Sequence, residues 1–232
     1  MIDVMYGTGV KRRFVVLLCA IALTGTSMSN AIAEDPASTR SVVKLILTQA
    51  KKAGYPVRDA SGAWSAESAR TFCALRELLI GDAGRARPTS SELTEIDVAL
   101  KGTPTLTDLA LPVRATDGVN VSVHCQIGYF VADGVVQRVF ALSSGKKSTK
   151  TDLGLWRVGY QVNGWKESSL YPGRFMYKPS FFNKNEGIHG MKADSMVPAY
   201  PASHGCVRVL HKDADWLFPR IKGSKVRVYG KW

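Results

Sequence analysis

The residues of this chain best suited to chemistry lie in one stretch, 187–209, GIHGMKADSMVPAYPASHGCVRV. It holds His189 followed by Gly190, and then Ser203, His204, Gly205 and Cys206 in succession. A cysteine becomes an acyl-transfer nucleophile when a base takes its proton, backbone N–H groups receive an oxyanion, and substrate can reach it. A free thiol has a pKa of about 8.5, so at neutral pH the base is needed. Either histidine can serve, and the residue types alone do not choose between them. Gly205 lets the chain turn tightly before Cys206 and puts no side chain in the path of a substrate. The N–H groups of Gly205 and Cys206 are natural oxyanion donors. Val207, Arg208 and Val209 alternate like the start of a strand, which sets Arg208 on the face of Cys206. There it can hold a substrate carboxylate, or pair with Asp213 or Asp215 as a structural tie.

Two plainer readings compete. Taken alone, Cys206 is a small buried thiol, but Ser-His-Gly-Cys puts polar and flexible residues where a core strand wants apolar ones. His189, His204, Cys206 and His211 can also be set down as a zinc site. An H-x-C pair lacks the spacing of the familiar structural zinc motifs, however, and no carboxylate motif accompanies it. The reading is therefore of no metal and no cofactor.

The elements that must position these residues fall into two kinds. Residues 41–102 read as a small all-α domain. Val42, Leu45, Ile46, Gln49, Ala50 and Ala53 follow helical spacing up to a stop at Gly54. Ser65 caps a second helix whose apolar stripe includes Ala69, Phe72, Cys73 and Leu79. Thr89 and Glu92 have capping-box spacing ahead of a third helix ending at Gly102. Residues 103–117 read as a linker. Thereafter the period changes to two. Val119, Val121, Val123, Cys125, Ile127, Tyr129 and Val131 alternate with more polar neighbours as one half-buried strand, which puts His124 on its exposed side. Asp133-Gly134 then turns a hairpin into 135–142. Trp156, Val158 and Tyr160 suggest a further strand, and Val226 and Val228 a last one. The segment from Gln161 to Glu186, rich in aromatics and with no strand pattern, reads as a lid or binding wall, or as packing for itself. The expected class is α+β, with a mainly β domain at 118–232 after the helical one.

The N-terminal residues 1–33 read as a signal peptide. Lys11, Arg12 and Arg13 precede an apolar run, and Ala31-Ile32-Ala33 fits a cleavage site before Glu34. The apolar run is short for a membrane span. The expected location is the periplasm, the cell wall or the extracellular space, with membrane anchorage if the signal is retained. Removing this segment lowers the net charge from +12 to +10, a surplus that suits an anionic wall polymer or lipid surface. The basic residues are scattered, and export points away from nucleic acid. Of the four cysteines, Cys19 lies in the signal, leaving Cys73, Cys125 and Cys206. An odd number in an exported chain implies at least one free thiol. Cys73 reads most simply as a core residue of its helix; a bridge to Cys125, docking the two domains, is the other reading.

SHGCVRV preceded by IHG resembles the active-site signature of the L,D-transpeptidases, the YkuD-type catalytic domain of bacterial cell-wall enzymes. The likeness covers roughly residues 118–232. It takes in the hairpin YFVADGVVQRVFALSSG and GSKVRV near the C-terminus. One departure is Thr151-Asp152-Leu153-Gly154, where the family usually has Thr-Pro-x-Gly, which puts the rigidity of that turn in question. The resemblance implies that Cys206 is the nucleophile and His189 the proton acceptor and donor. It implies that the Gly190 carbonyl orients that imidazole, and that Ser203, His204 and Gly205 support the oxyanion segment. The implied partners are peptidoglycan stem peptides, as acyl donor and acceptor, with carbapenem-type β-lactams as inhibitors and no obligate protein partner. Water as acceptor would make an L,D-carboxypeptidase, and loss of chemistry would leave a wall-binding protein. The helical unit is similar in part to peptidoglycan-binding modules, through GYPV, the turn at 59–62 and SAESARTF.

Overall fold

The computed structural model describes residues 36–112 and 115–231. The signal-peptide reading of 1–33, and Val113 and Arg114 of the expected linker, lie outside the described residues. Three helices come first: α1 (Pro36–Lys52), α2 (Ala66–Leu75) and α3 (Ser90–Gly102). The caps sit where the side chains allow them. Ser65 Oγ accepts from the Ser68 N–H, and Thr89 Oγ1 from the Glu92 N–H, each answered by the reciprocal bond of a capping box. A π-helical turn, Arg76–Ile80, extends α2 to Gly81.

The rest is a ten-stranded mixed sheet with one short helix. Its strands are β1 (Gly118–Ser122), β2 (Ile127–Ala132), β3 (Val135–Ser143), β4 (Gly154–Arg157), β5 (Tyr160–Gln161), β6 (Trp165–Glu167), β7 (Phe175–Asn183), β8 (Glu186–Gly190), β9 (Val207–Val209) and, after α4 (His211–Leu217), β10 (Lys225–Tyr229). They lie in the order β4-β10-β1-β2-β3-β9-β8-β7-β5, with β6 beside β7. The chain is α+β, mainly β in its C-terminal part. Among the described residues no helix is long and apolar enough to cross a membrane.

The expected single strand 119–131 is instead two antiparallel strands. The chain reverses at 123–126, where the Gln126 N–H donates to the Ser122 carbonyl and Gln126 takes a left-handed φ of 58°. Alternation conceals this turn because odd-numbered residues stay apolar across it. Their faces differ, though. Val119 and Val121 pair with Phe130 and Gly128 and join one core, whereas Ile127, Tyr129 and Val131 join the other. His124 is a half-buried turn residue as a result. Nor is the strand half-buried: β1 is buried throughout, because the sheet is covered on both faces. The Asp133-Gly134 hairpin forms as expected, with φ of 52° and 73°. The segment 161–186 is not structureless; it folds into β6 and β7, paired from Trp165↔Tyr177 to Glu167↔Phe175.

The face carrying Ile127, Tyr129 and Val131 is covered by the helices. Ile46, Leu47, Phe72, Leu75 and Ile96 share one core with it, and the described residues make a single compact unit. A disulfide between Cys73 on α2 and Cys125 in the turn staples the two layers at the centre of that core, both residues being 0% exposed. The periodicity treats the helices as a unit of their own and cannot reveal this sharing. Beside the bridge lies a buried polar knot. Glu77 accepts from Ser122 Oγ at 2.7 Å and from the Tyr229 hydroxyl, whose oxygen lies 3.1 Å from the Tyr129 hydroxyl oxygen. Burial holds the Glu77 carboxyl above its usual range despite these donors.

The bridge closes a loop of 52 residues, for which lost chain entropy in the unfolded state predicts about 4 kcal/mol of stabilisation. Replacing Cys73 and Cys125 together with alanine is expected to lower the unfolding free energy by an amount of that order in a denaturant titration. A protein produced from Glu34 onward should show one free thiol per chain when denatured without reductant; three would remove the bridge.

Candidate active site

β8 and β9 run parallel, in register Ile188↔Val207, His189↔Arg208 and Gly190↔Val209. Side chains alternate across a strand, so His189 and Arg208 share one face, and Cys206, two residues before Arg208, opens onto it. β3 flanks β9 through Leu142↔Val209 and Ser143↔Arg208. The three site strands are thus interior to the sheet and are held from both sides.

His189, Cys206 and Arg208 line one cleft of about 820 Å³, together with Ser203, His204 and Glu186. Its far wall is the β6–β7 hairpin, including Trp165, Tyr171 and Phe175, so the aromatic segment 161–186 walls the cleft. The charged lining is unequal: Lys166, Arg174, Lys192 and Arg208 face one carboxylate, Glu186.

His189 is 5% exposed, and its Nδ1 lies 2.9 Å from the Gly190 carbonyl oxygen. A carbonyl only accepts, so Nδ1 carries the proton and Nε2 keeps a lone pair for a proton from substrate or thiol. Burial drives the imidazole pKa down to about 4, opposed by the Gly190 bond and assisted by the Arg208 charge. Gly190 has a second duty. A Cβ there would stand 2.9 Å from the Ala214 Cβ, closer than real contacts allow, and a tight 3.0 Å from Tyr177 Cδ1, so glycine lets β8 lie this near α4.

The Cys206 thiol is recessed. Burial pushes its pKa up to about 11, as does Glu186; a hydrogen bond from the Gly187 N–H and the charge of Arg208 pull the other way. Its S–H points to the Asn185 carbonyl at 3.6 Å. With the thiol so high and the imidazole so low, both are neutral at pH 7. Burial thus favours the neutral form of both groups over a thiolate–imidazolium pair.

The turn before Cys206 is tightly held. Ser203 Oγ donates to the Cys206 carbonyl and accepts from the Gly205 N–H at 3.2 Å. That Gly205 donor is thus turned inward, so it supports the turn here. Gly205 has φ of 119°, and a Cβ on it would meet Glu186 Oε1 at 3.2 Å. His204 is exposed at the rim, 4.5 Å from the Tyr171 ring centre and 3.2 Å from Lys146 Nζ. Its pKa is lowered by partial desolvation, with Lys146, Arg208 and Arg174 adding repulsion.

Arg208 makes no ion pair among the described residues, because both proposed partners are engaged elsewhere. Asp213 binds Arg138 at 2.6 Å, and Asp215 binds Lys178 at 2.6 Å. Its guanidinium, with Arg174 nearby, is free for an anion. The zinc grouping does not assemble. His211 stacks on Tyr177 at 3.8 Å, beside Asp215, and no three potential ligands gather among the described residues.

Two site residues had no signal in the sequence. Thr151 Oγ1 donates to the Gly205 carbonyl at 2.6 Å and accepts from the Gly145 N–H at 2.9 Å. Glu186 accepts from the Asp152 N–H at 3.1 Å, and Asn183 donates to Asp152 at 2.9 Å. Together they fix the Thr-Asp-Leu-Gly turn without a proline.

The sheet thus carries a recessed thiol and an imidazole into one cleft with a surplus of cationic side chains. Residues 119–228 match the family model of the YkuD L,D-transpeptidase catalytic domain. The fold is similar to that of the L,D-transpeptidase from Xylanimonas cellulosilytica, at 25% identity and a TM-score of 0.55, over 81% of this chain and 92% of that one. It is also similar to the L,D-transpeptidase (Yku) from Stackebrandtia nassauensis, at 23% identity and a TM-score of 0.50, over 83% and 91%. No curated protein matches the chain. Over residues 119–228 the chain is similar to the YkuD L,D-transpeptidase catalytic domain. The first similarity covers more of the chain than 119–228, so it takes in the helical layer as well.

Because neutral His189 is the form able to accept a proton, acylation of Cys206 should hold its rate as pH falls through 6.5 and lose half of it only near pH 4. A rate–pH profile of thioester formation checks this; a half-fall near 6.5 would show that burial does not depress the base.

Proposed function

We propose that the protein is an exported cysteine L,D-transpeptidase that forms 3→3 cross-links between peptidoglycan stem peptides. The observation that carries the reading is the shared cleft: Cys206 and the free Nε2 of His189 open into one space whose charge surplus is positive. Export is supported by the Cys73–Cys125 bridge, which fits an oxidising compartment.

In the reaction, Cys206 Sγ attacks the carbonyl carbon of the third stem residue, a diamino acid, while His189 Nε2 takes the thiol proton. The Cys206 N–H serves as donor to the developing oxyanion. The C–N bond to the terminal D-alanine breaks, His189 returns its proton to the departing amine, and the stem remains as a thioester on Cys206. An amine of a second stem then attacks that carbonyl, giving its proton to His189. The C–S bond breaks, and the thiol recovers the proton. The thioester conserves the acyl bond energy between steps, so no cofactor is called for. Arg208, with Arg174 beside it, is suited to hold a stem carboxylate; an arginine-to-carboxylate bond is strong because it is charge-assisted.

Exposure to a carbapenem is expected to add one drug mass to the wild type and none to Cys206→Ala, read by intact-protein mass spectrometry. His189→Ala should slow that addition by about two to four orders of magnitude, as for loss of a general base. A greater loss in His204→Ala would reverse the assignment of the base, and an unmodified wild type would leave a wall-binding protein.

With disaccharide-tetrapeptide as the sole substrate, the expected product is a cross-linked dimer with release of D-alanine. Tripeptide without dimer would make water the acceptor and the enzyme an L,D-carboxypeptidase.

A further inference from the structure

The loop joining His189 to Cys206 is gripped from the opposite layer of the molecule by three arginines of the helical segment. Arg58 donates through Nη1 to the Val197 carbonyl at 2.7 Å and through Nη2 to the Asp194 carbonyl at 3.2 Å. Arg70, on α2, donates to the same Val197 carbonyl at 3.3 Å. Arg85 donates through Nη2 to the Ala199 carbonyl at 2.6 Å and through Nη1 to the Cys125 carbonyl at 3.0 Å. One guanidinium thus ties the loop to the turn that carries the disulfide.

Charge explains why the loop cannot drift from this grip. The three guanidinium groups have one carboxylate among them, Glu67, at 3.3 Å from Arg58 and 3.5 Å from Arg70. Arg70 is 0% exposed, so water cannot replace a lost acceptor, and its Nε already has no hydrogen-bond partner. The surplus positive charge is therefore solvated by main-chain carbonyls of the loop. Moving the loop would strand a buried cation, the costliest kind of unpaired group.

The rest of the loop is fixed by the sheet. The Ala202 and Ser203 N–H groups both donate to the Ser144 carbonyl, at 2.9 and 3.0 Å. The Gln126 side chain accepts from the Ser144 N–H at 2.9 Å and donates to Ser144 Oγ at 2.7 Å. Gln126 directly follows Cys125, whose carbonyl Arg85 holds. The path from helix to nucleophile is continuous.

We infer that Arg58, Arg70 and Arg85 are positioning residues for the reaction. Through the carbonyls of Asp194, Val197 and Ala199 they hold the 194–199 loop, and with it the cleft wall at Met191, Lys192 and Met196 and the approach to Ser203–Cys206. The helical layer then works as an internal scaffold for catalysis. The inference rests on Cys206 and His189 acting as nucleophile and base.

The test compares the wild type with Arg58→Met plus Arg85→Met, with Arg85→Lys, and with Arg70→Met. Each is assayed well below its own unfolding temperature, for the second-order rate of carbapenem addition and for amide hydrogen exchange. The double variant should fold with its disulfide intact. Peptides within 191–206 should exchange faster while those of 127–143 do not, and acylation should fall about 10- to 100-fold, the cost of misplacing reacting groups by about an ångström. Arg85→Lys should recover part of the rate, since an ammonium can keep one of the two carbonyl bonds. Arg70→Met should fall at least as far; if it does not fold, the double variant decides. Wild-type acylation rates in a folded double variant, or exchange that rises equally everywhere, would overturn the inference. If the wild type itself resists the carbapenem, the proposed function fails. Exchange at 191–206 and alkylation of Cys206 by iodoacetamide then test the clamp alone, and no change in either overturns it.

Discussion

A short parallel pairing between β8 and β9 sets the spacing of His189 and Cys206, and nearly everything else around the cleft serves to keep it in register. Parallel strands need a long crossover, and here the crossover is the loop that also walls the cleft. The pairing is only three residues deep, too little to be rigid by itself. Its stiffness is borrowed: β3 on one side, β7 on the other, α4 packed close over Gly190, and the arginines behind the loop.

The electrostatics of the site follow from that enclosure. Packing elements around His189 strips its water and leaves one strong acceptor, the Gly190 carbonyl, which settles the tautomer. The same enclosure raises the thiol. A cysteine that stays protonated at rest reacts poorly with passing electrophiles, and becomes nucleophilic when a bound carbonyl and the imidazole are aligned together. Arg208 acts on both groups, its charge lowering the thiol and the imidazole alike.

Much of this was legible in the sequence where the determinants are local. Caps at Ser65 and Thr89, the Asp133-Gly134 hairpin and the strand at 207–209 all rest on neighbours a few residues apart, whereas the choice of His189 to go with Cys206 comes from the resemblance to a family signature. What escaped depends on distant partners. The reversal at 123–126 is invisible to an alternation count, since apolar parity runs through it and only the opposing layers distinguish the faces. The Cys73–Cys125 bridge could be stated but not chosen. Thr151, Glu186 and the three clamping arginines are common residue types in loops and on helices. Their roles exist only through contacts with chain tens of residues away, up to the 139 between Arg58 and Val197.

The buried disulfide also bears on how the reactive cysteine survives oxidation. Three thiols allow three different single bridges, and two of these would consume Cys206. Once the helices have docked, the native bridge lies out of reach in the core, with both half-cystines fully covered. Exchange requires a thiolate at the bridge, whereas Cys206 is protonated and opens into the cleft. Mispairing is thus confined to the interval before the layers close, after which Cys206 is the free thiol among the described residues.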